Sequence, residues 1–141
     1  MSELTGADLP PSYDHFRIYH EGDTCHVHSD RPSCEHSATL TLIYSDGKPW
    51  PIEMGSERVT GEDPYTEDWG DEPFGTVAMQ PGDAILYRGT ELRHGRTQPN
   101  PNQWSAHLFL FWVERGGKFQ QHAFDEERLR SELRRVSKLD V

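Results

Sequence analysis

Between Ala38 and Tyr44 the chain reads Ala-Thr-Leu-Thr-Leu-Ile-Tyr, a clean alternation rich in β-branched residues. Successive side chains of a strand point to opposite faces, so such a run suits a half-buried pleated surface and does not suit a helix. Comparable stretches run from Phe16 to Tyr19, from about Thr24 to His28, from Thr76 to Met79, from Ala84 to Tyr87 and from Trp104 to Val113. The last is apolar enough in its second half for burial on both faces. Turn chemistry separates them at Gly22-Asp23, at Ser45-Asp46-Gly47-Lys48 and at Gln80-Pro81-Gly82-Asp83, the last placed to join residues 76–79 directly to 84–87. Trp50 to Met54 is extended, because Pro51 forbids helix there. At least six short strands at this spacing predict an all-β sandwich or barrel.

A chain of 141 residues is about one domain and can bury a single core. Its hydrophobic fraction is only 33%, but four Trp, five Tyr and six Phe supply the large buried areas that a disordered chain lacks. The net charge of −10 disfavours a nucleic-acid partner held through phosphate neutralisation. Cys25 and Cys34 are the two cysteines, too few for a disulfide scaffold, and read as reduced thiols of a cytoplasmic protein. No apolar run is long enough to cross a bilayer, and Met1-Ser2-Glu3-Leu4-Thr5 has no signal-peptide character, so no membrane partner is expected. Residues 1–12 read as an arm, 13–113 as the β core, and the acidic stretch 55–75 as a long loop over the site. Residues 125–139 read as one amphipathic helix, capped by Asp125, striped by Leu129, Leu133 and Val136, and either docked on the sheet or used as a dimer contact.

The chemistry concentrates at His28-Ser29-Asp30. Residues two apart share a strand face, so both side chains can point into a barrel and bind one metal. Two histidines and one carboxylate on one face of an octahedron is the ligand set of non-haem iron(II) oxygenases, with the remaining positions open. The third ligand must come from a distant strand, and His94, between Pro81–Gly89 and the strand 104–113, is the best candidate. His15, His20, His36 and His122 read as surface or hydrogen-bonding residues, Trp50 and Trp112 as core, and Trp69 and Phe74 as possible substrate contacts.

The run Phe16 to Asp30, the strand Ala38 to Tyr44, Pro49-Trp50-Pro51 and the segment Pro81 to Arg96 leading to Trp112 together resemble the iron(II)- and 2-oxoglutarate-dependent dioxygenase superfamily, especially its prolyl-4-hydroxylase-like branch. The resemblance covers about residues 16 to 113 and implies a double-stranded β-helix (jelly roll) with His28, Asp30 and His94 as iron ligands. It further implies 2-oxoglutarate as cosubstrate, dioxygen as oxidant, and hydroxylation of a substrate, a peptide side chain or a small metabolite, that the sequence does not identify. The family places a basic residue some ten positions after the distal histidine to pair with the far carboxylate of 2-oxoglutarate. Position 104 here is Trp, leaving Arg96 and His107 as candidates, with Tyr44 resembling a tyrosine that hydrogen-bonds the same carboxylate and Tyr19 similarly placed earlier. Two other readings stand beside this one. His26, His28 and Asp30 on one face, with Glu35 downstream, also resemble the first metal motif of cupins, and a jelly roll without its cosubstrate anchor would be a non-catalytic binding module.

Overall fold

The alternating runs form eight antiparallel strands in two four-stranded sheets among the described residues, which are 1–60 and 65–125 of the computed structural model. The helix expected over residues 125–139 therefore lies, beyond Asp125, outside the described residues. One sheet has the order β1 (Pro11–His20), β8 (Trp104–Trp112), β3 (His36–Tyr44), β6 (Ala84–Tyr87). The other has the order β2 (Cys25–His28), β7 (Leu92–Arg96), β4 (Ile52–Arg58), β5 (Phe74–Val77). Every connection except β4 to β5 passes from one sheet to the other, which is the winding of a jelly roll.

Three local expectations are corrected. The segment Gln80–Asp83 does not close a hairpin, because β5 and β6 belong to different sheets and the chain crosses the sandwich between them. The acidic loop is shorter than residues 55–75, since β4 runs on to Arg58 and β5 starts at Phe74. The arm joins the core earlier than residue 13: β1 starts at Pro11, Leu9 is buried, and the Pro10 carbonyl accepts the Val113 N–H at 3.2 Å.

Between the sheets Tyr19, Tyr44 and Trp50 pack with Phe109. Around them Ser37, Thr39, Thr41, Ser105 and His107 are fully enclosed. Such polar groups stay buried only with partners. The Tyr44 hydroxyl donates to the Met79 carbonyl at 3.1 Å, the Trp50 indole N–H to the Gln98 carbonyl at 2.7 Å, and His107 Nε2 pairs with Ser105 Oγ at 3.1 Å. The outward positions of the first sheet are correspondingly apolar, with Phe16, Ile18, Leu42, Ile43 and Leu86 exposed. This assignment of faces makes the interior of the sandwich a polar chamber able to hold a site.

Candidate metal centre

His28 is the last residue of β2 and lies directly opposite His94 of β7 in the antiparallel register. Asp30 follows just beyond the strand end, where its backbone N–H donates to the Gly89 carbonyl at 2.8 Å. The Asp30 Oδ1 atom is 3.5 Å from His28 Nε2 and 3.4 Å from His94 Nε2. One ligand atom from each of the three side chains lies within 4.8 Å of the others. Each imidazole is fixed by its other nitrogen: Nδ1 of His28 donates to the His26 carbonyl at 2.7 Å, and Nδ1 of His94 to the Leu92 carbonyl at 3.0 Å. These bonds turn both Nε2 atoms toward Asp30 Oδ1, the arrangement by which outer hydrogen bonds orient metal ligands.

Burial opposes ionisation of Asp30, but the adjacent His94 charge and hydrogen bonds from His28 and His94 outweigh it and hold the carboxyl well below the usual range. Its second oxygen, Oδ2, accepts from Ser37 Oγ at 3.0 Å. Gly89 packs against this corner so closely that a Cβ there would overlap Asp30 Oδ2 and Ser37 Oγ. Gly95 has a similar role: a Cβ at that position would meet the Cys25 carbonyl at 2.9 Å, so only glycine lets β7 approach β2 between His94 and Arg96.

The register shifts between Cys25 and His28, and this irregularity turns His26 outward to solvent, away from the face of His28. Glu35 is likewise elsewhere, 3.5 Å from Arg88 Nη2 and accepting the Glu114 N–H at 2.8 Å. The cupin-type set is therefore not assembled. Glu35, His36 and Glu114 do form a second group of ligand-type side chains, but Arg88 sits among them, 2.7 Å from Glu114 and 2.9 Å from His36. That makes it a half-buried ion-pair network, and gives the buried His36 the role of tying β3 to the end of β8.

A cavity of about 200 Å³ opens from the triad between the sheets, walled by Tyr19, Ile52, Tyr87, Arg96, Phe109 and Phe111. Arg96 follows His94 by two residues on β7, so both face the cavity. Its guanidinium lies over the Trp50 ring, 4.7 Å from the centroid. The residue is only 4% exposed, and its buried Nη2 has no hydrogen-bond partner among the described residues. Nor does a described carboxylate lie within ion-pair distance of it. Burial accordingly draws its pKa below the ordinary guanidinium value.

Of the other residues picked from the sequence, Tyr19 lines the cavity, whereas His107 and Tyr44 do not. His107 lies behind Tyr19, with ring centroids 5.7 Å apart, where burial and the Arg96 cation push its pKa down to about 3. It is neutral and offers no charge to a carboxylate. Trp69, expected to touch substrate, is buried instead, its indole N–H donating to Glu53 Oε2 at 2.7 Å. Several residues at the cavity were not singled out, among them Tyr65, Tyr87 and Arg17, and His15, read as a surface residue, also lines it. Tyr65 stacks on the His28 ring with centroids 4.8 Å apart and planes 10° from parallel, and Arg17 lines the cavity from β1. The period-2 reading of β1 contained the signal for Arg17, since it shares a face with Tyr19. Nothing local marked Tyr65, which is brought to the site by the backbone pairing of Thr66 with Val27 along the edge of β2.

No protein-family model matches the chain, and no curated protein matches it in sequence. Solved structures match it in fold. A prolyl-4-hydroxylase of Pseudomonas putida is 19% identical over 73% of this chain and 51% of that one, with a TM-score of 0.52. A hydroquinone 1,2-dioxygenase of Sphingomonas, with 4-hydroxybenzoate bound, is 13% identical over 72% of this chain and 59% of that one, with a TM-score of 0.42. This chain thus spans about half the length of the prolyl-4-hydroxylase, with which it shares the jelly-roll fold.

Proposed function

We propose that the protein is an iron(II)- and 2-oxoglutarate-dependent dioxygenase that hydroxylates a peptide side chain or a small metabolite. The observation that carries this reading is Arg96. Two histidines and a carboxylate on one side of an open position fit iron but also other divalent metals. A buried guanidinium with an unpaired nitrogen, on the same strand as one of those histidines and in the same cavity, adds the demand for an anionic ligand beside the metal. An uncompensated buried cation is strongly destabilising, and a carboxylate that fits the guanidinium fork removes that cost.

In this reading His28 Nε2, His94 Nε2 and Asp30 Oδ1 hold the iron. When bound with 2-oxoglutarate and dioxygen, the iron supplies the oxidising power to hydroxylate a C–H bond, with succinate and carbon dioxide as coproducts. The chain's own residues do the positioning. Arg96 takes the distal carboxylate of 2-oxoglutarate, held flat by Trp50 beneath it. Tyr19 and Phe109 wall the cavity and limit water, and Ser37 donates to Asp30 Oδ2, leaving Oδ1 for the metal.

Incubation of the iron-loaded protein with labelled 2-oxoglutarate tests this. Succinate release above a metal-free control is expected, with Arg96→Gln raising the KM for 2-oxoglutarate by roughly tenfold or more. Absence of release, together with no binding of 2-oxoglutarate to the iron-loaded chain, would remove the reading.

A further inference from the structure

We infer that the cavity has a second anion position, at Arg17, and that the primary substrate is a small molecule bearing a carboxylate bound there. The inference rests on the cosubstrate reading above, in which Arg96 is already occupied. Arg17 lies opposite His107 in the β1–β8 register and on the same strand face as His15 and Tyr19, so its side chain rises from the inner face of the sheet toward the cavity mouth. The guanidinium lies over the Tyr19 ring at 4.4 Å from the centroid, a contact that fixes its plane. Among the described residues no carboxylate is within 4.0 Å of it and no hydrogen bond engages it.

That is notable in this chain, where 24 Asp and Glu stand against 14 Lys and Arg. Among the described residues Arg58, Arg88, Arg93 and Arg115 have a carboxylate within reach, and Arg31 has the Tyr13 hydroxyl. The two that line the cavity have no such carboxylate. The one carboxylate lining the cavity, Asp30, is engaged by both imidazoles. Arg96 is buried and Arg17 stands exposed at the mouth, so a ligand set matching this cavity carries anionic groups at two places: the distal carboxylate of the cosubstrate at Arg96 and a second at Arg17. The narrow cavity and the position of Arg17 on the edge strand favour a low-molecular-weight carboxylate over an extended polymer.

The test is calorimetric, on the anaerobic iron-loaded protein. 2-Oxoglutarate is titrated first, and the saturated complex is then titrated with phenylacetate, hexanoate and N-acetylproline, each beside its uncharged primary amide. At least one carboxylate is expected to bind in preference to its amide. Arg17→Gln should weaken that second binding about tenfold or more and erase the preference over the amide, while changing 2-oxoglutarate affinity less than about threefold, and Arg17→Lys should restore part of the preference. The inference is overturned if no carboxylate binds the saturated protein, if the preference survives in Arg17→Gln, or if Arg17→Gln weakens 2-oxoglutarate itself as strongly as Arg96→Gln does. Failure of 2-oxoglutarate to bind wild type at all would strike the cosubstrate reading instead, and the same panel titrated without it would still decide Arg17.

Discussion

Gly89 has no chemistry of its own, yet it fixes the corner on which the Asp30 carboxylate rests. Its carbonyl accepts the Asp30 N–H, and the space its missing side chain leaves is taken by Asp30 Oδ2 and Ser37 Oγ. Gly89→Ala is therefore expected to push Asp30 off the common point, costing about 1–3 kcal/mol of stability by overpacking and most of the metal affinity. Ser37→Ala removes the hydrogen bonds to Oδ2 and to the Cys34 carbonyl, and a loss of about 10–100-fold in metal affinity is expected, with a smaller fall in thermal midpoint than Gly89→Ala causes. Metal titration and thermal unfolding of the two variants, side by side, check both outcomes. At this scale the convergence of His28, Asp30 and His94 was legible, although Asp30 lies just past the strand end and not within it. Arg96 was legible by two-residue spacing, as the position two after His94. His26 was misplaced by that same rule: an irregularity in register between Cys25 and His28 breaks the alternation, and no residue in the sequence announces it.

The loop between β4 and β5 shows how an element without periodicity is nonetheless held. Glu53 is buried and its carboxylate accepts from the Trp69 indole N–H at 2.7 Å, the Thr97 hydroxyl at 2.9 Å and the Thr97 N–H at 3.1 Å. Val27 and Thr66 exchange both backbone hydrogen bonds, at 2.8 and 2.9 Å, tying the loop to β2. The pinned loop then carries Tyr65 onto the outer ring face of His28. Trp69→Phe keeps the ring that stacks on Phe74 but leaves a buried carboxylate short of one donor, so a loss of about 1–3 kcal/mol is expected in urea unfolding. An unchanged midpoint would mean that Trp69 does not anchor the loop. The strands themselves were readable from period-2 runs and turn residues, whereas the sheet to which each strand belongs was not. Residues 76–79 and 84–87 look like a hairpin because the turn chemistry between them is good, but pairing is decided by partners far along the chain, Leu40 for Ala84 and Ile52 for Val77.

Across the whole molecule, a chain of net charge −10 encloses a cavity bearing two guanidiniums, and the polar interior around it has its own pH signature. His107 is neutral in the fold, with its pKa pushed down to about 3 by burial and by Arg96. The unfolded chain takes up a proton at the ordinary histidine value, so below about pH 6.5 the unfolded state binds more protons at this site and stability falls as pH falls toward 3. His107→Asn is expected to flatten the dependence of unfolding free energy on pH in that window by up to about one proton, and an identical slope would show that His107 is not buried uncharged. The all-β character follows from alternation and turn residues. Which sheet face turns inward did not, because Thr39 and Thr41 are enclosed while Leu42 is exposed, the reverse of the usual hydrophobic pattern. The most direct measurement of the central assignment is an anaerobic titration of iron(II) into the protein followed by 2-oxoglutarate, monitored by the visible charge-transfer absorption of the chelated cosubstrate. One iron per chain and a band that grows with 2-oxoglutarate are expected in wild type, with both absent in a folded His94→Ala variant. A band that persists in His94→Ala, or its absence from iron-loaded wild type, would contradict the assignment.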